Sequence, residues 1–238
     1  MNSITLCDKN HQKDILTMAR KARPYTLLQD AIVHSYNWSV DRRTIFRSQT
    51  DCDSFVQLLQ YARQKYPATI LVHGLTPSGF DLILYQHESY AVAAFMKYVE
   101  ETYARQFNRQ TQRDGPVFSG RYRGEIISDE LELLRISRDI HVSCADSGLV
   151  SHASGYGYSS CGDYRHGSPG ILEDTSLILD LVGGADRYAL FLDRFDTACP
   201  ASIKLILCAD HDRVWAERGS RKRDDANGLT HVENRLQK

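Results

Sequence analysis

The fold of this chain is decided by the stretch ETYARQFNRQTQRDGPVFSGRYRGEII, residues 101–127. Its first half has the spacing of an amphipathic helix, residues 113–116 have the composition of a turn, and a strand is predicted from about Val117. The stretch contains five arginines and two tyrosines. Guanidinium groups suit phosphates and base edges, and tyrosine rings stack on bases, so nucleic acid is a favoured ligand. A solvated helix face is the alternative, because Glu101 and Arg105 are spaced for an i,i+4 ion pair.

The hydrophobic periodicity on both sides of this stretch predicts an α+β domain. Two runs carry apolar residues at helical spacing, and two short apolar runs are separated by a turn-forming TPSG. The elements in order are a strand at 26–38, a helix ending before Pro67, strands at 69–75 and 80–86, a helix from Ser89, the strand from Val117 and a helix at 130–141. This order predicts a ferredoxin-like four-stranded antiparallel sheet with helices on one face, followed by a C-terminal helical extension.

Changes in composition along the chain predict its domain organisation. Residues 1–17 have no clear period and precede a second methionine, so they are expected to be a mobile extension. The ferredoxin-like domain is predicted at 18–165 and the helical extension at 166–217. The charged residues 218–238 have the composition of a disordered tail.

The overall composition restricts the class of protein. The formal net charge is −1, so a surface that binds nucleic acid must be local rather than spread over the whole molecule. Six cysteines are scattered without a C-x-x-C pair, and no apolar run of about 18 residues is present. We therefore expect a reduced, cytoplasmic protein with no membrane partner. The sequence leaves open whether it is a monomer or a dimer.

Several motifs resemble those of one known family. The runs YARQFNR at 103–109 and VFSGRYRGEII at 117–127 are similar, in order and spacing, to the signature of REP-associated tyrosine transposases. These are single-tyrosine HUH transposases. Further similar runs are IVHSYNWSVDRRTIF at 32–46, RDIHVSCADSGLV at 138–150 and GLVSHASGYGYSSCGDY at 148–164. The resemblance spans about residues 18–195, and it implies the ferredoxin-like fold and single-stranded or hairpin DNA as the partner.

The basic and aromatic residues of these motifs are the candidate DNA contacts. The basic residues at 20–23 could instead belong to a frayed terminus. The Arg42 and Arg43 pair could instead be a solvated hairpin tip. The candidates are Arg20, Lys21, Arg23, Arg42, Arg43, Tyr103, Arg105, Arg109, Arg113, Arg121, Tyr122 and Arg123. Four of them, Arg105, Arg109, Arg121 and Arg123, are expected to line one DNA-facing surface with Tyr122.

The positions at which the family carries its catalytic groups are altered in this sequence. The resemblance implies two histidines at i and i+2 on a strand, which hold a divalent metal, and a nucleophilic tyrosine on a later helix. The matching residues here are Gly79 and Asp81 for the histidines, and Asp139 for the tyrosine. Ser143 stands at the family's asparagine. Because ligands and nucleophile are lost together, we expect a DNA-binding protein without nuclease activity and without a cofactor.

Two other interpretations of the sequence stay open. Asp81, Asp139 and His141 could form a carboxylate-rich Mg²⁺ or Mn²⁺ site, in which case the protein would be an active strand transferase. Against this site, Arg135 is spaced to pair with Asp139, and His141 matches a helix-end residue that is not a ligand. In the second interpretation, the same fold is a protein-interaction module.

Overall fold

The computed structural model describes residues 23–146, 157–167 and 175–193 of the chain. Its strands are β1 (Ala31–Trp38), β2 (Ala68–Thr76), β3 (Gly79–Gln86) and β4 (Arg123–Ile126). Its helices are α1 (Gln49–Lys65), α2 (Ala91–Thr111), α3 (Glu130–Asp146), α4 (Cys161–His166), α5 (Ser176–Val182) and α6 (Ala185–Asp193). The strands form one antiparallel sheet in the order β2-β3-β1-β4. The predicted ferredoxin-like α+β fold is therefore confirmed.

The two faces of the sheet have different surroundings. On one face, α1 and α2 enclose an aromatic core in which the rings of Phe55 and Phe80 are 5.1 Å apart. On the other face, α3 packs directly on β2, since a Cβ atom at Gly74 would lie 2.8 Å from the Cγ2 atom of Ile140. The expectation that the helices lie on one face therefore holds for α1 and α2 but not for α3. Successive residues of β1 alternate between these faces, so the side chains of His34, Tyr36 and Trp38 point away from α1 and α2.

The part of this second face that lies on β1 and β4 is only partly covered. We call it the open face and define it by the side chains of His34, Tyr36, Trp38, Arg123 and Glu125. The first three are half-buried, and the two residues of β4 are exposed. The open face adjoins the positions at which the sequence lacks its expected catalytic groups.

Two strands begin later than the sequence predicted. Residues Pro24–Leu27 form a 3-10 turn, so β1 starts at Ala31. The expected strand at Val117 is a loop that is tied to the end of β1, since Val40 N–H donates to the Val117 carbonyl and Ser119 N–H donates to the Trp38 carbonyl. β4 follows only after this loop. Apolar residues that anchor a loop and apolar residues of a strand look alike in the sequence.

The segment around Ser160 extends the edge of the sheet at β2. Ser160 N–H donates to the His73 carbonyl at 3.0 Å, and His73 N–H donates to Ser160 Oγ at 3.0 Å. The same hydroxyl is 2.7 Å from His141 Nε2, and His141 Nδ1 is 2.7 Å from the Tyr188 hydroxyl. These buried contacts join β2, α3 and α6, so the Tyr158-Ser159-Ser160 motif has a structural role in this fold.

The two histidines of this cluster are held neutral by their surroundings. Burial lowers the pKa of His73 to about 4. Burial, with a smaller effect of the nearby His73, lowers the pKa of His141 to about 3. Among the described residues, His73 Nδ1 has no hydrogen-bond partner, so nothing there stabilises an added proton. Protonation of either ring is therefore coupled to unfolding.

We expect the free energy of unfolding to fall as the pH drops from about 6.5 towards 4. The unfolded chain binds a proton at each histidine near pH 6.5 while the folded protein does not, so acid favours the unfolded state. The loss amounts to about 1.4 kcal/mol per pH unit for each ring. Urea unfolding across this pH range measures it. The variant His73→Leu should lose about one proton's share of the slope of stability against pH. Equal slopes in the parent and in His73→Leu would contradict this account.

The predicted segments of the chain are described in part. Residues 1–17 and 218–238 lie outside the described residues, as do parts of 166–217. Within 166–217, α6 packs against α3 through Tyr188, whose ring is fully buried. None of the helices in the described ranges combines the length and the apolar character that a membrane span requires.

Candidate nucleic-acid interface

The structure places Asp81 on β3 and Asp139 on α3, and each carboxylate has its own protein partner. Asp81 Oδ1 is 3.0 Å from His34 Nε2. Asp139 forms an ion pair with Arg135 at 3.3 Å. Burial raises the pKa of Asp139, and the nearby Arg135, Arg138 and His34 oppose this rise. Each carboxylate thus already has a protein partner, and His34 lies close to both.

Gly79 is packed too closely to carry a side chain. It pairs with Trp38 across β1 and β3, and a Cβ atom built on it would lie 2.5 Å from the Asn37 carbonyl oxygen and 3.2 Å from Trp38 Cα. Real Cβ atoms do not approach backbone atoms this closely, so β1 would have to move to admit one. The side chain of the residue opposite, Trp38, lies on the same face of the sheet.

His141 is separated from the two carboxylates of the alternative metal site. Both of its ring nitrogens are hydrogen-bonded inside the buried cluster with Ser160 and Tyr188. The described residues contain no group of three or more histidine, cysteine, aspartate or glutamate side chains that could hold a metal ion. Ser143, at the family's asparagine, donates to the Ile140 carbonyl at 2.8 Å. The structure therefore does not bring the proposed metal ligands together.

The two tyrosines predicted to contact DNA belong to the interior. Tyr103 donates to the Ile45 carbonyl at 2.8 Å, and the Tyr122 hydroxyl accepts a hydrogen bond from Tyr25 at 2.7 Å. Burial raises the pKa of both Tyr103 and Tyr122. Neither ring offers a free face for a base, so stacking by these tyrosines is not supported. An aromatic residue in a basic run looks the same in the sequence whether its ring faces the core or the solvent.

Arg23 is also engaged with this interior cluster. Its guanidinium lies 3.6 Å from the Tyr122 ring centroid and donates to the Tyr25 hydroxyl at 3.0 Å and to the Tyr122 carbonyl. Its N–H groups are therefore engaged with Tyr25 and Tyr122 rather than exposed to a ligand. Arg20 and Lys21 lie outside the described residues. Arg43, the second residue of the predicted hairpin-tip pair, forms an ion pair with Asp41 at 3.0 Å.

The other predicted arginines are exposed and lie in two groups. Arg105, Arg109 and Arg113 are on or just after α2, and Arg121 follows in the loop before β4. None of the ion pairs between described residues involves any of these four. Beside them, α2 and the loop border a cleft of about 670 Å³ lined by Ala104, Phe118 and Arg121 among others. Arg105 donates a hydrogen bond to Thr102 Oγ1 at 3.2 Å, and all four guanidiniums are exposed to solvent, where phosphates could reach them. Arg123 instead points to the open face.

The open face carries an aromatic column that the sequence did not single out as a site. Ring centroids are 4.7 Å apart between His34 and Tyr36, and 6.1 Å apart between Tyr36 and Trp38, with ring planes inclined by 27° and 28°. The guanidiniums of Arg42 and Arg123 lie 4.1 Å and 4.0 Å from the Trp38 centroid. The signal in the sequence was the period-two run of rings at His34, Tyr36 and Trp38.

Comparison with solved structures finds the same fold in a REP-associated tyrosine transposase bound to a REP hairpin. The match has a TM-score of 0.51 and 15% sequence identity, and it covers 66% of this chain and 93% of that chain. A bacterial tRNA(His) guanylyltransferase-like protein in complex with ATP matches with a TM-score of 0.35 and 9% identity, over 63% of this chain and 73% of that chain. No protein-family model matches the sequence, and no curated protein does. The first similarity shows that this chain has a transposase-like fold.

Proposed function

We propose that this protein is a DNA-binding protein of transposase descent that binds single-stranded or hairpin DNA without cleaving it. The observation that carries the proposal is the group of exposed guanidiniums of Arg105, Arg109 and Arg121, which form no ion pair among the described residues. Exposed charged groups that form no ion pair, on one side of a helix and in its following loop, are suited to a polyanion. A transposase of the same fold bound to a REP hairpin supports DNA as that polyanion.

Three features of the structure support the absence of cleavage. Position 79 has no room for a metal ligand, Asp81 is hydrogen-bonded to His34, and Asp139 is paired with Arg135. Transposase chemistry of the resembling family needs a metal to stabilise charge on the phosphate and a phenol to attack it. These groups act as a unit, so the loss of ligands and nucleophile together removes nearly the whole rate enhancement.

We expect salt-dependent binding of the full chain to a labelled DNA hairpin that carries a single-stranded extension. Each neutralised phosphate contributes about 0.9 to the slope of log K against log salt for duplex DNA, so three arginines give a slope of about −3 or steeper. A titration between about 50 and 200 mM salt measures this slope. An unlabelled acidic polypeptide of equal charge serves as competitor control. If the protein does not bind the hairpin, or if the polypeptide displaces the labelled hairpin as well as unlabelled DNA does, DNA is not the specific partner.

We also expect no covalent protein–DNA adduct and no nicked product when the same hairpin is incubated with Mg²⁺ or Mn²⁺. A denaturing gel separates an adduct from a non-covalent complex, because only the adduct survives denaturation. The control is the variant Asp81→Ala, which removes one carboxylate of the alternative metal site. An adduct formed by the parent and lost in Asp81→Ala would show that the protein is an active strand transferase.

A further inference from the structure

The cleft beside α2 contains a half-buried carboxylate. Glu100 and Ala104, one turn apart on α2, line the cleft on the side of the helix. Val117 and Phe118 line it on the side of the loop that precedes β4. Burial raises the pKa of Glu100, while its hydrogen bonds and the nearby Arg23 oppose this rise. A cleft of about 670 Å³ with apolar walls and a convergent polar group is typical of a small-molecule site.

Two protein groups orient the Glu100 carboxylate. Asn37 Nδ2 donates to its Oε1 atom at 2.6 Å, and the Tyr122 N–H donates to its Oε2 atom at the long distance of 3.4 Å. Asn37 Nδ2 also donates to the Gly120 carbonyl at 3.2 Å, so one amide holds both the carboxylate and the loop. An ionised carboxylate has about four acceptor sites. The described residues fill two of these sites, so each oxygen can accept one more N–H group.

A planar molecule with two parallel N–H donors matches this site. Guanine presents such a pair on one edge, N1–H and the N2 amino group. Adenine and cytosine present one amino group beside a ring nitrogen that a carboxylate repels, and thymine presents one N–H between two carbonyls. The apolar side chains of Ala104, Val117 and Phe118 suit the faces of the ring. The carboxylate therefore favours guanine over the other bases.

Two exposed cations that line the same cleft suit the phosphate of a nucleotide. Lys97 lies one turn before Glu100 on α2, and its ammonium is 4.0 Å from the exposed Glu101. Arg121 directly precedes Tyr122, whose N–H donates to Glu100, and it takes part in none of the ion pairs between described residues. A carboxylate inside the cleft and cations at its edge match a base that donates N–H groups and a phosphate that is an anion.

We propose that this cleft binds a guanine nucleotide, in which Glu100 accepts N–H groups from the base while Lys97 and Arg121 bind the phosphate. The nucleotide is either free guanosine monophosphate or an unpaired guanine nucleotide of a DNA strand, because both present the same edge and a phosphate. This inference goes beyond the proposed function, since it assigns a base-specific site on side chains other than Arg105 and Arg109. Arg121 contributes to both.

Isothermal titration calorimetry of the full chain with three nucleoside monophosphates tests the recognition of the base. Guanosine monophosphate should bind most tightly. Inosine monophosphate lacks only the N2 amino group and should bind about tenfold more weakly, because a hydrogen bond to a charged group contributes at least about that factor. Adenosine monophosphate loses the matched pair of donors and should bind about a hundredfold more weakly or not at all. Equal affinities for the three nucleotides would overturn the inference.

Two variants test the site from different directions. Glu100→Gln should weaken the binding of guanosine monophosphate by about ten- to a hundredfold, because the amide replaces one acceptor oxygen by a donor. Ala104→Leu should also weaken it, because the larger side chain occupies the cleft while the hydrogen bonds of Glu100 stay in place. Circular dichroism shows whether each variant is folded, and Ala104→Leu keeps the test decisive if Glu100→Gln is not.

The matched control is Glu101→Gln, the same chemical change at the next residue of α2. The side chain of Glu101 is 56% exposed, and its carboxylate forms an ion pair with Lys97. This variant should keep the preference for guanosine over inosine monophosphate. If Glu101→Gln loses the preference while Glu100→Gln keeps it, the assignment of the carboxylate is wrong.

A pair of DNA hairpins distinguishes the two sources of the nucleotide. The hairpins differ only in a single unpaired base, guanine in one and adenine in the other. A preference of the parent for the guanine hairpin that is lost in Glu100→Gln identifies a nucleotide of the DNA as the ligand. Binding of guanosine monophosphate without a preference between the hairpins identifies the free nucleotide.

The outcomes separate this inference from the proposed function. If the parent binds hairpins with a steep salt slope but neither binds guanosine monophosphate nor prefers the guanine hairpin, the inference is wrong and the proposed function stands. If it binds guanosine monophosphate but no hairpin, the proposed function is wrong and the inference stands. If it binds none of these probes, both are wrong.

Discussion

Replacement of Gly79 by histidine is expected to destabilise the protein by about 2–4 kcal/mol and to leave it without nuclease activity. The resemblance to HUH transposases suggests this change as the way to restore a metal ligand. The Cβ atom of any residue at this position would be 2.5 Å from the Asn37 carbonyl oxygen, on a strand fixed by hydrogen bonds to both neighbours. The energy of this overlap is carried by the backbone, so a different rotamer does not relieve it.

Urea unfolding of Gly79→His and Gly79→Ala measures the effect, and the two variants should lose similar stability because the Cβ atom causes the overlap. Gly157→Ala is the matched control, since a Cβ atom there would meet nothing within 4 Å. Asp81→His, at a partly exposed position, should be tolerated far better. A Gly79→His variant as stable as the parent would show that β1 moves freely and that the altered site could be rebuilt.

Replacement of Arg105, Arg109 and Arg121 by glutamine is expected to lower the affinity for a DNA hairpin by two to three orders of magnitude at about 0.1 M salt. The slope of log K against log salt should become less steep by nearly 3, about one unit for each phosphate that is no longer neutralised. All three side chains are exposed, so the fold should be unaffected. Fluorescence anisotropy with a labelled hairpin at several salt concentrations gives both quantities.

The charge-matched control replaces the same three arginines by lysine. Lysine keeps the charge but not the bidentate geometry, so the salt slope should be retained while the affinity falls only moderately. If the glutamine variant binds with the parental slope, the DNA surface lies elsewhere on the protein.

The element order could be predicted because it depends on local patterns. The apolar run on each side of Pro77 and Ser78 identified β2 and β3, and these strands do pair as a hairpin. Helical spacing identified α1 and α2. The start of β4 could not be predicted, because Val117 and Phe118 are buried in a loop whose backbone bonds to the end of β1 and the residues after it, which are distant in the sequence.

The candidate site was predicted only in part. The sequence identified Arg105, Arg109 and Arg121 as basic residues, and the structure places them at the surface. It could not distinguish them from Arg23, whose guanidinium lies against Tyr122, or show that Tyr103 and Tyr122 face the core. The substitutions at the catalytic positions could be recognised from the sequence alone. The lack of space for a side chain at Gly79 could not.

The sequence by itself determined the ferredoxin-like element order, the hairpin between β2 and β3, and the residue types at the positions where the resembling family has its catalytic groups. Periodicity, turn composition and motif spacing are properties of neighbouring residues, so they can be recognised along the chain. Only the tertiary structure decided which of the described arginines are exposed and that Arg42 and Arg123 meet on Trp38. Burial and contacts between residues far apart in the chain depend on how strands and loops pack, and no local pattern encodes that packing.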